Sequence, residues 1–225
     1  RLGGQFTATT RFIVSEAATQ AKAPVRQLFS GHYRLGTLTL WATYFMGLLV
    51  IYLTMGWLPT LLRDGGQSIE RAATITGLFQ LAGTAGALVV GWAMDRRNPN
   101  RVIATAYALG GLCIVSLGAY GLESSLLAVG VAAAGFCMSG AQTGLNAFAP
   151  GYYPTACRAT GVSWMLGIGR FGAIFGSLIG GAVLSLGLGL PLLFIALGLP
   201  AFVAALAILA NGYARQRVLP VAAVR

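Results

Sequence analysis

Acidic side chains are scarce in this sequence. Only Glu16, Asp64, Glu70, Asp95 and Glu123 occur in 225 residues, against 15 lysines and arginines, for a formal net charge of +10. Histidine is scarcer still, with His32 alone. No carboxylate pair, histidine or nucleophile beside a base lies inside an apolar run. The pairings that carry acid–base or covalent catalysis are therefore missing from the runs, and an enzyme is the least favoured class. His32 stands in a polar segment and reads as a solvated side chain. Cys113, Cys137 and Cys157 show no C-x-x-C spacing. They indicate neither a metal site nor a disulfide framework and read as small apolar fillers.

Charge of either sign is also short. Charged residues make up 9 % of the chain and hydrophobic ones 56 %, with a mean hydropathy of +0.75. Soluble domains carry about 25 % charged residues. A water-soluble core cannot use this much apolar sequence, so the chain reads as an integral membrane protein. The positive charge sits in the breaks between apolar runs, which argues against a nucleic-acid partner. The chain opens at Arg1 without a methionine or a signal peptide, and the expectation is a piece of a longer protein.

What is present in abundance is long apolar sequence. Six runs can be drawn, 36–62, 72–94, 102–122, 126–149, 159–186 and 190–213, each near or above the ~20 residues a spanning helix needs. The predicted fold is an all-α membrane protein, a bundle of six transmembrane helices. Residues 1–35 read as a polar linker and 214–225 as a tail. Alternate breaks differ in charge. Arg34, Arg96, Arg97, Arg101, Arg158, Arg215 and Arg217 fall on one side, with the basic residues of the linker. Only Arg63 and Arg71 fall on the other, each close to an acid. Positive charge marks the cytoplasmic side, so both termini are expected there. The halves 36–122 and 126–213 form a possible inverted pair of three helices each.

One charge breaks the pattern. Arg170 lies within an otherwise uncharged run from 161 to 184, near the middle of a ~30 Å hydrocarbon core. A charge at that depth is costly and marks a functional site by default. No acid lies inside any apolar run, so its partner is backbone, water, an acid outside this chain or an anionic ligand. Ser163, Arg170 and Ser177 recur every seven residues, which puts Arg170 on a polar stripe. Ser139, Gln142, Thr143 and Asn146 form another stripe at i, i+3, i+4 and i+7, and Thr76, Gln80 and Thr84 a third. Such faces line a cavity or hydrogen-bond between helices. Tyr44 and Tyr52 add aromatic rings suited to a planar ligand. Gly172, Gly176 and Gly180, Gly83 and Gly91, and Gly140 and Gly144 allow close helix packing.

Two sets of residues carry a family resemblance. Gly91-Trp92-Ala93-Met94-Asp95-Arg96-Arg97 resembles the G-x-x-x-D-R/K-x-G-R-R/K loop of the major facilitator superfamily, at the expected place after the second span. Asn98, Pro99 and Asn100 stand where that motif has its second glycine and further basic residues. Tyr153-Pro154-Thr155-Ala156-Cys157-Arg158-Ala159-Thr160-Gly161-Val162, Gly167-Ile168-Gly169-Arg170-Phe171-Gly172, Gln142-Thr143-Gly144-Leu145-Asn146-Ala147 and Trp57-Leu58-Pro59-Thr60-Leu61-Leu62 are similar to the aromatic acid:H⁺ symporter family. That family includes bacterial 4-hydroxybenzoate and benzoate transporters. The resemblance covers only the family's C-terminal half.

The resemblance implies half of a 12-helix transporter in a bacterial inner membrane, partnered by a missing N-terminal six-helix half and the lipid bilayer. The substrate would be a small aromatic carboxylate imported with a proton as the coupling ion, with no other cofactor; the alternatives are a transporter of another organic anion or metabolite or of an efflux substrate, and a non-transporting membrane scaffold or receptor. Arg170, Gln142, Asn146, Tyr44, Tyr52 and Gln80 are the candidate substrate contacts. Gly91, Asp95, Arg96, Arg97, Arg101 and Arg158 are the candidate gating residues. The proton site is expected in the missing half.

Overall fold

The computed structural model describes residues 24–31, 33–120, 126–185 and 190–222. Glu16, His32, Glu123 and most of the expected linker lie outside the described residues. Among the described residues seven helices follow in order: α1 (Pro24–Leu28), α2 (Arg34–Asp64), α3 (Ile69–Arg96), α4 (Pro99–Tyr120), α5 (Leu127–Tyr152), α6 (Thr155–Ser185) and α7 (Leu190–Ala222). The last six are each long and apolar enough to cross a membrane. The chain is a multi-pass membrane protein, and helices suit its spans because they pair most backbone groups within their own segment.

Local chemistry explains where the helices turn. Gly65 closes α2, and Gly66 takes φ +86° in the turn that follows. Ser68 then opens α3, its hydroxyl accepting from the Arg71 amide at 3.3 Å. Asn98 accepts from the Arg101 amide at 3.4 Å ahead of Pro99, the first residue of α4. The sequence suggested a break from Pro150 onward, but α5 runs through Pro150 to Tyr152. The stop comes at Tyr153, which is extended (φ −92°, ψ 140°) because Pro154 follows it. At the other end of the chain, α7 continues to Ala222, through the segment read as a tail.

The packing has an internal repeat. α3 packs on α5 and α2 on α6; α2 also packs on α7 and α5 on α4; α4 and α7 pack on each other. Exchanging α2 with α5, α3 with α6 and α4 with α7 leaves this set unchanged. An odd number of crossings separates the members of each pair, so the two three-helix units are inverted, the arrangement expected for 36–122 and 126–213. The two equivalent seams, α3–α5 and α6–α2, are both built on glycine. A methyl at Gly86 or Gly135 would meet the carbonyl oxygen of Phe136 or Phe79 across the first seam. One at Gly172 or Gly176 would meet that of Phe45 or Leu49 across the second. Backbones touch here because no side chain separates them.

Candidate functional site

The glycine seam decides where Arg170 points. Gly169, Gly172, Gly176 and Gly180 hold one side of α6 against α2. At 100° per residue the opposite side carries Ser163, Gly167, Arg170 and Ile174, and all four are exposed. Arg170 stands midway between Thr155 and Ser185, ~22 Å from the start of α6 at 1.5 Å per residue. Its side chain makes no hydrogen bond or ion pair among the described residues. Ser163, Gly167 and Phe171 line a shallow hollow of about 220 Å³ along the same side.

Other polar residues are exposed on neighbouring helices. Gln80 and Thr84 on α3, and Thr143 and Asn146 on α5, are exposed. Tyr52 on α2 is 47 % exposed. By helical rise, Gln80, Thr84 and Tyr52 lie within several ångströms of the depth of Arg170, and Asn146 lies nearer the arginine-rich end. Exposed polar side chains at mid-span face either lipid or another protein surface, and lipid is the costly choice.

The structure separates the six candidate substrate contacts into two groups. Arg170, Asn146, Gln80 and Tyr52 are on the outside of this bundle. Gln142 and Tyr44 are inside it, 6 % and 5 % exposed. Gln142 sits at one edge of the α5 stripe, turned toward α4 and α2. Its Oε1 accepts from the Tyr107 hydroxyl at 2.6 Å, both groups press on Gly47, and its Nε2 is buried without a partner. Tyr44 lies against Gly169, one residue from Arg170. These two side chains therefore back the exposed face from the bundle interior.

At the arginine-rich end, Asp95 and Arg97 are exposed, and neither side chain makes a hydrogen bond or ion pair among the described residues. Arg96 lies over the Trp92 ring, 4.1 Å from its centroid, a cation–π contact that holds it along its own helix. The Arg158 Nε donates to the Tyr153 carbonyl at 3.4 Å. Gly91 has open space around it, so no neighbour requires a glycine there. Arg101 opens toward a groove between α4 and α7.

Sequence reading missed one polar cluster at this end. Asn100 and Asn211 are both buried. The Asn100 Nδ2 donates to Asn211 Oδ1 and to the Ile208 carbonyl, each at 3.1 Å. The Asn211 Nδ2 donates to the Gly36 carbonyl at 2.7 Å and to Thr39 Oγ1 at 3.3 Å. Asn100 is one of the departures from the loop motif, and its side chain ties α4 to α7, which Asn211 ties to α2. The one available signal was an asparagine near one end of each of two predicted apolar runs, which sequence spacing could not pair.

A family model described as the Major Facilitator Superfamily matches residues 40–221. A gallate transporter of Pseudomonas putida is 84 % identical over 220 residues, which is 98 % of this chain and 49 % of that protein. The 4-hydroxybenzoate transporter PcaK of Pseudomonas aeruginosa is 49 % identical over 89 % of this chain and 45 % of its own length. A benzoate transport protein of Acinetobacter baylyi is 33 % identical over 77 % of this chain and 37 % of its own length. The chain spans about half the length of the curated relatives it matches.

Proposed function

This chain belongs to the Major Facilitator Superfamily, and we propose that it is the C-terminal six-helix half of a proton-coupled importer of aromatic carboxylates. The relatives named as gallate, 4-hydroxybenzoate and benzoate transporters support this reading, and gallate is the first substrate to try. The protein is a transporter and not an enzyme. It lies in a bacterial inner membrane with both termini cytoplasmic, an orientation that the arginine-rich end supports.

The observation that carries the mechanism is Arg170. It is a permanent cation at mid-span, on the outside of a bundle whose described acids, Asp64, Glu70 and Asp95, fall only at helix ends. The missing half covers this face and encloses a cavity. The guanidinium attracts the substrate carboxylate there, its fork geometry suiting two oxygens. Asn146 and Gln80 offer amide groups to ring hydroxyls, and Tyr52 packs on the ring. Gln142 and Tyr44 hold α5 and α6 in place behind them. The two halves rock about this midplane site to expose it alternately. Asp95, Arg96, Arg97 and Arg158, with Gly91, form the cytoplasmic gate. The coupling proton binds in the other half.

The test is uptake of labelled gallate and 4-hydroxybenzoate by cells expressing the intact protein. The expected result is accumulation that a protonophore abolishes and that unlabelled aromatic acids compete. Uptake of neither acid would overturn the substrate reading. Accumulation that survives the protonophore would overturn the coupling.

A further inference from the structure

The outer face formed by α4 and α7 is unlike the Arg170 face. Its exposed mid-span side chains are apolar, with Leu109 and Leu112 on α4 and Leu199 and Leu206 on α7. This is the composition of a lipid-facing surface. A groove of about 520 Å³ is cut into it at the arginine-rich end, lined by Ala104, Ala108, Phe202, Ala205 and Leu206, with Arg101 at its upper rim. Small residues make the groove. Ala104 and Ala108 lie one turn apart on α4, opposite Ala205, and leave room that larger side chains would fill. A second, polar hollow adjoins it, lined by Asn98, Asn100, Arg101 and Tyr213. Arg101 is shared between the two. Its guanidinium makes no hydrogen bond or ion pair among the described residues, and neither α4 nor α7 carries an acid. The Asn100–Asn211 pair fixes the two helices beside it, so the groove is a built feature of the interface.

We infer that this groove is a binding site for an anionic phospholipid, its phosphate on Arg101 and Asn98 and one acyl chain between α4 and α7. The charge and the polarity gradient both fit. A cation and amide stand at the headgroup level, and an apolar slot runs ~10 Å along α4 toward the bilayer centre. Basic pockets between spanning helices on the arginine-rich side attract anionic headgroups. A zwitterionic lipid fills the same slot but gains less from the Arg101 guanidinium. In this inference Arg101 is a lipid contact, where the family resemblance made it a candidate gating residue. The inference depends on membrane insertion alone and stands whether or not the substrate is an aromatic acid.

The test counts bound lipid on the intact, detergent-purified protein by native mass spectrometry, with phosphatidylglycerol or phosphatidylcholine supplied at equal concentration. Phosphatidylglycerol should be retained in preference. Arg101→Gln should lower its retention about fivefold, the size expected for one basic side chain at a headgroup surface, and Arg101→Lys should keep most of it. Arg97→Gln, at a residue off the groove, should leave phosphatidylglycerol retention as it is in the unaltered protein, whatever it does to transport. Equal retention of the two lipids would overturn the inference, as would equal losses in the Arg97 and Arg101 variants, which would mark diffuse surface charge. A dimer whose formation excludes lipid would also overturn it, assigning the groove to a second copy.

Discussion

Tyr107 donates its hydroxyl proton to Gln142 Oε1 at 2.6 Å across the α4–α5 interface, and both side chains close over Gly47 of α2. Three helices meet at this hydrogen bond, Tyr107 being fully buried and Gln142 nearly so. The bond makes Gln142 a structural element of the bundle, although its position in the sequence had marked it as a cavity residue. Tyr107→Phe removes the donor and leaves the amide with no partner at either end, a buried group costing about 1–3 kcal/mol. The expected outcome is a lower melting temperature of the purified transporter with the KM for substrate unchanged. A raised KM with unaltered stability would return Gln142 to the substrate.

Gly47→Ala strikes the same node from α2. The added methyl overlaps Gln142 Oε1 and the Tyr107 hydroxyl, and overpacking of this kind typically costs about 1–3 kcal/mol. Combined with Tyr107→Phe, the penalty should be less than the sum, because removing the hydroxyl frees space for the methyl. Thermal unfolding of the two single variants and the double variant gives the coupling. Strict additivity would show that the methyl is accommodated elsewhere.

Arg170→Ala should weaken uptake of gallate or 4-hydroxybenzoate by about tenfold to a hundredfold, the worth of a hydrogen bond to a charged group. The loss should appear in apparent affinity, and Arg170→Lys should restore part of it, since charge is kept without the two-pronged geometry. The protein should remain folded, because the side chain is exposed and without partners in this half. Unchanged uptake and affinity in Arg170→Ala would remove the carboxylate role.

Asn211→Ala deletes donors to Gly36 and Thr39 and the acceptor for Asn100 in one step. The expected cost is about 1–3 kcal/mol, read as a drop in melting temperature, and Asn100→Ala should add little on top of it. Because α2, α4 and α7 are joined here, loosening at this end should also appear as faster hydrogen exchange in the first turns of α2 and α4. Unaltered exchange there would confine the pair to a local role.

Asp95→Asn should slow transport while substrate binding persists. The carboxylate closes the negative end of α3, where it is unfavourable unless it meets a positive group from another element. In this half it is exposed and unpaired among the described residues, which suits a contact made in only one state of the cycle. Comparison of equilibrium substrate binding with uptake rate checks this, and normal turnover would discount the gate.

Much of the fold was legible because the controlling property is local. A run of ~20 apolar residues must span whatever its neighbours do, and the six runs became α2 to α7. Boundaries shifted where backbone chemistry overrode hydropathy. Pro150 sits within α5, and the true stop is the residue before Pro154. The glycine seam of α6 was visible as Gly172, Gly176 and Gly180, but its target on α2 was not.

By itself the sequence determined a membrane protein of six spans with one unmatched cation at mid-depth, because length, hydropathy and charge are properties of single segments. Which polar side chains meet protein and which are left facing outward was decided only by tertiary packing. Gln142 and Asn146 stand one turn apart on α5, yet Gln142 meets Tyr107, 35 positions back in the chain, and Asn146 is exposed. The same holds for Asn100 and Asn211, joined across 111 positions. A helix has no inside until its neighbours are in place, and the close seams at Gly135 and Gly172 set which way each face turns.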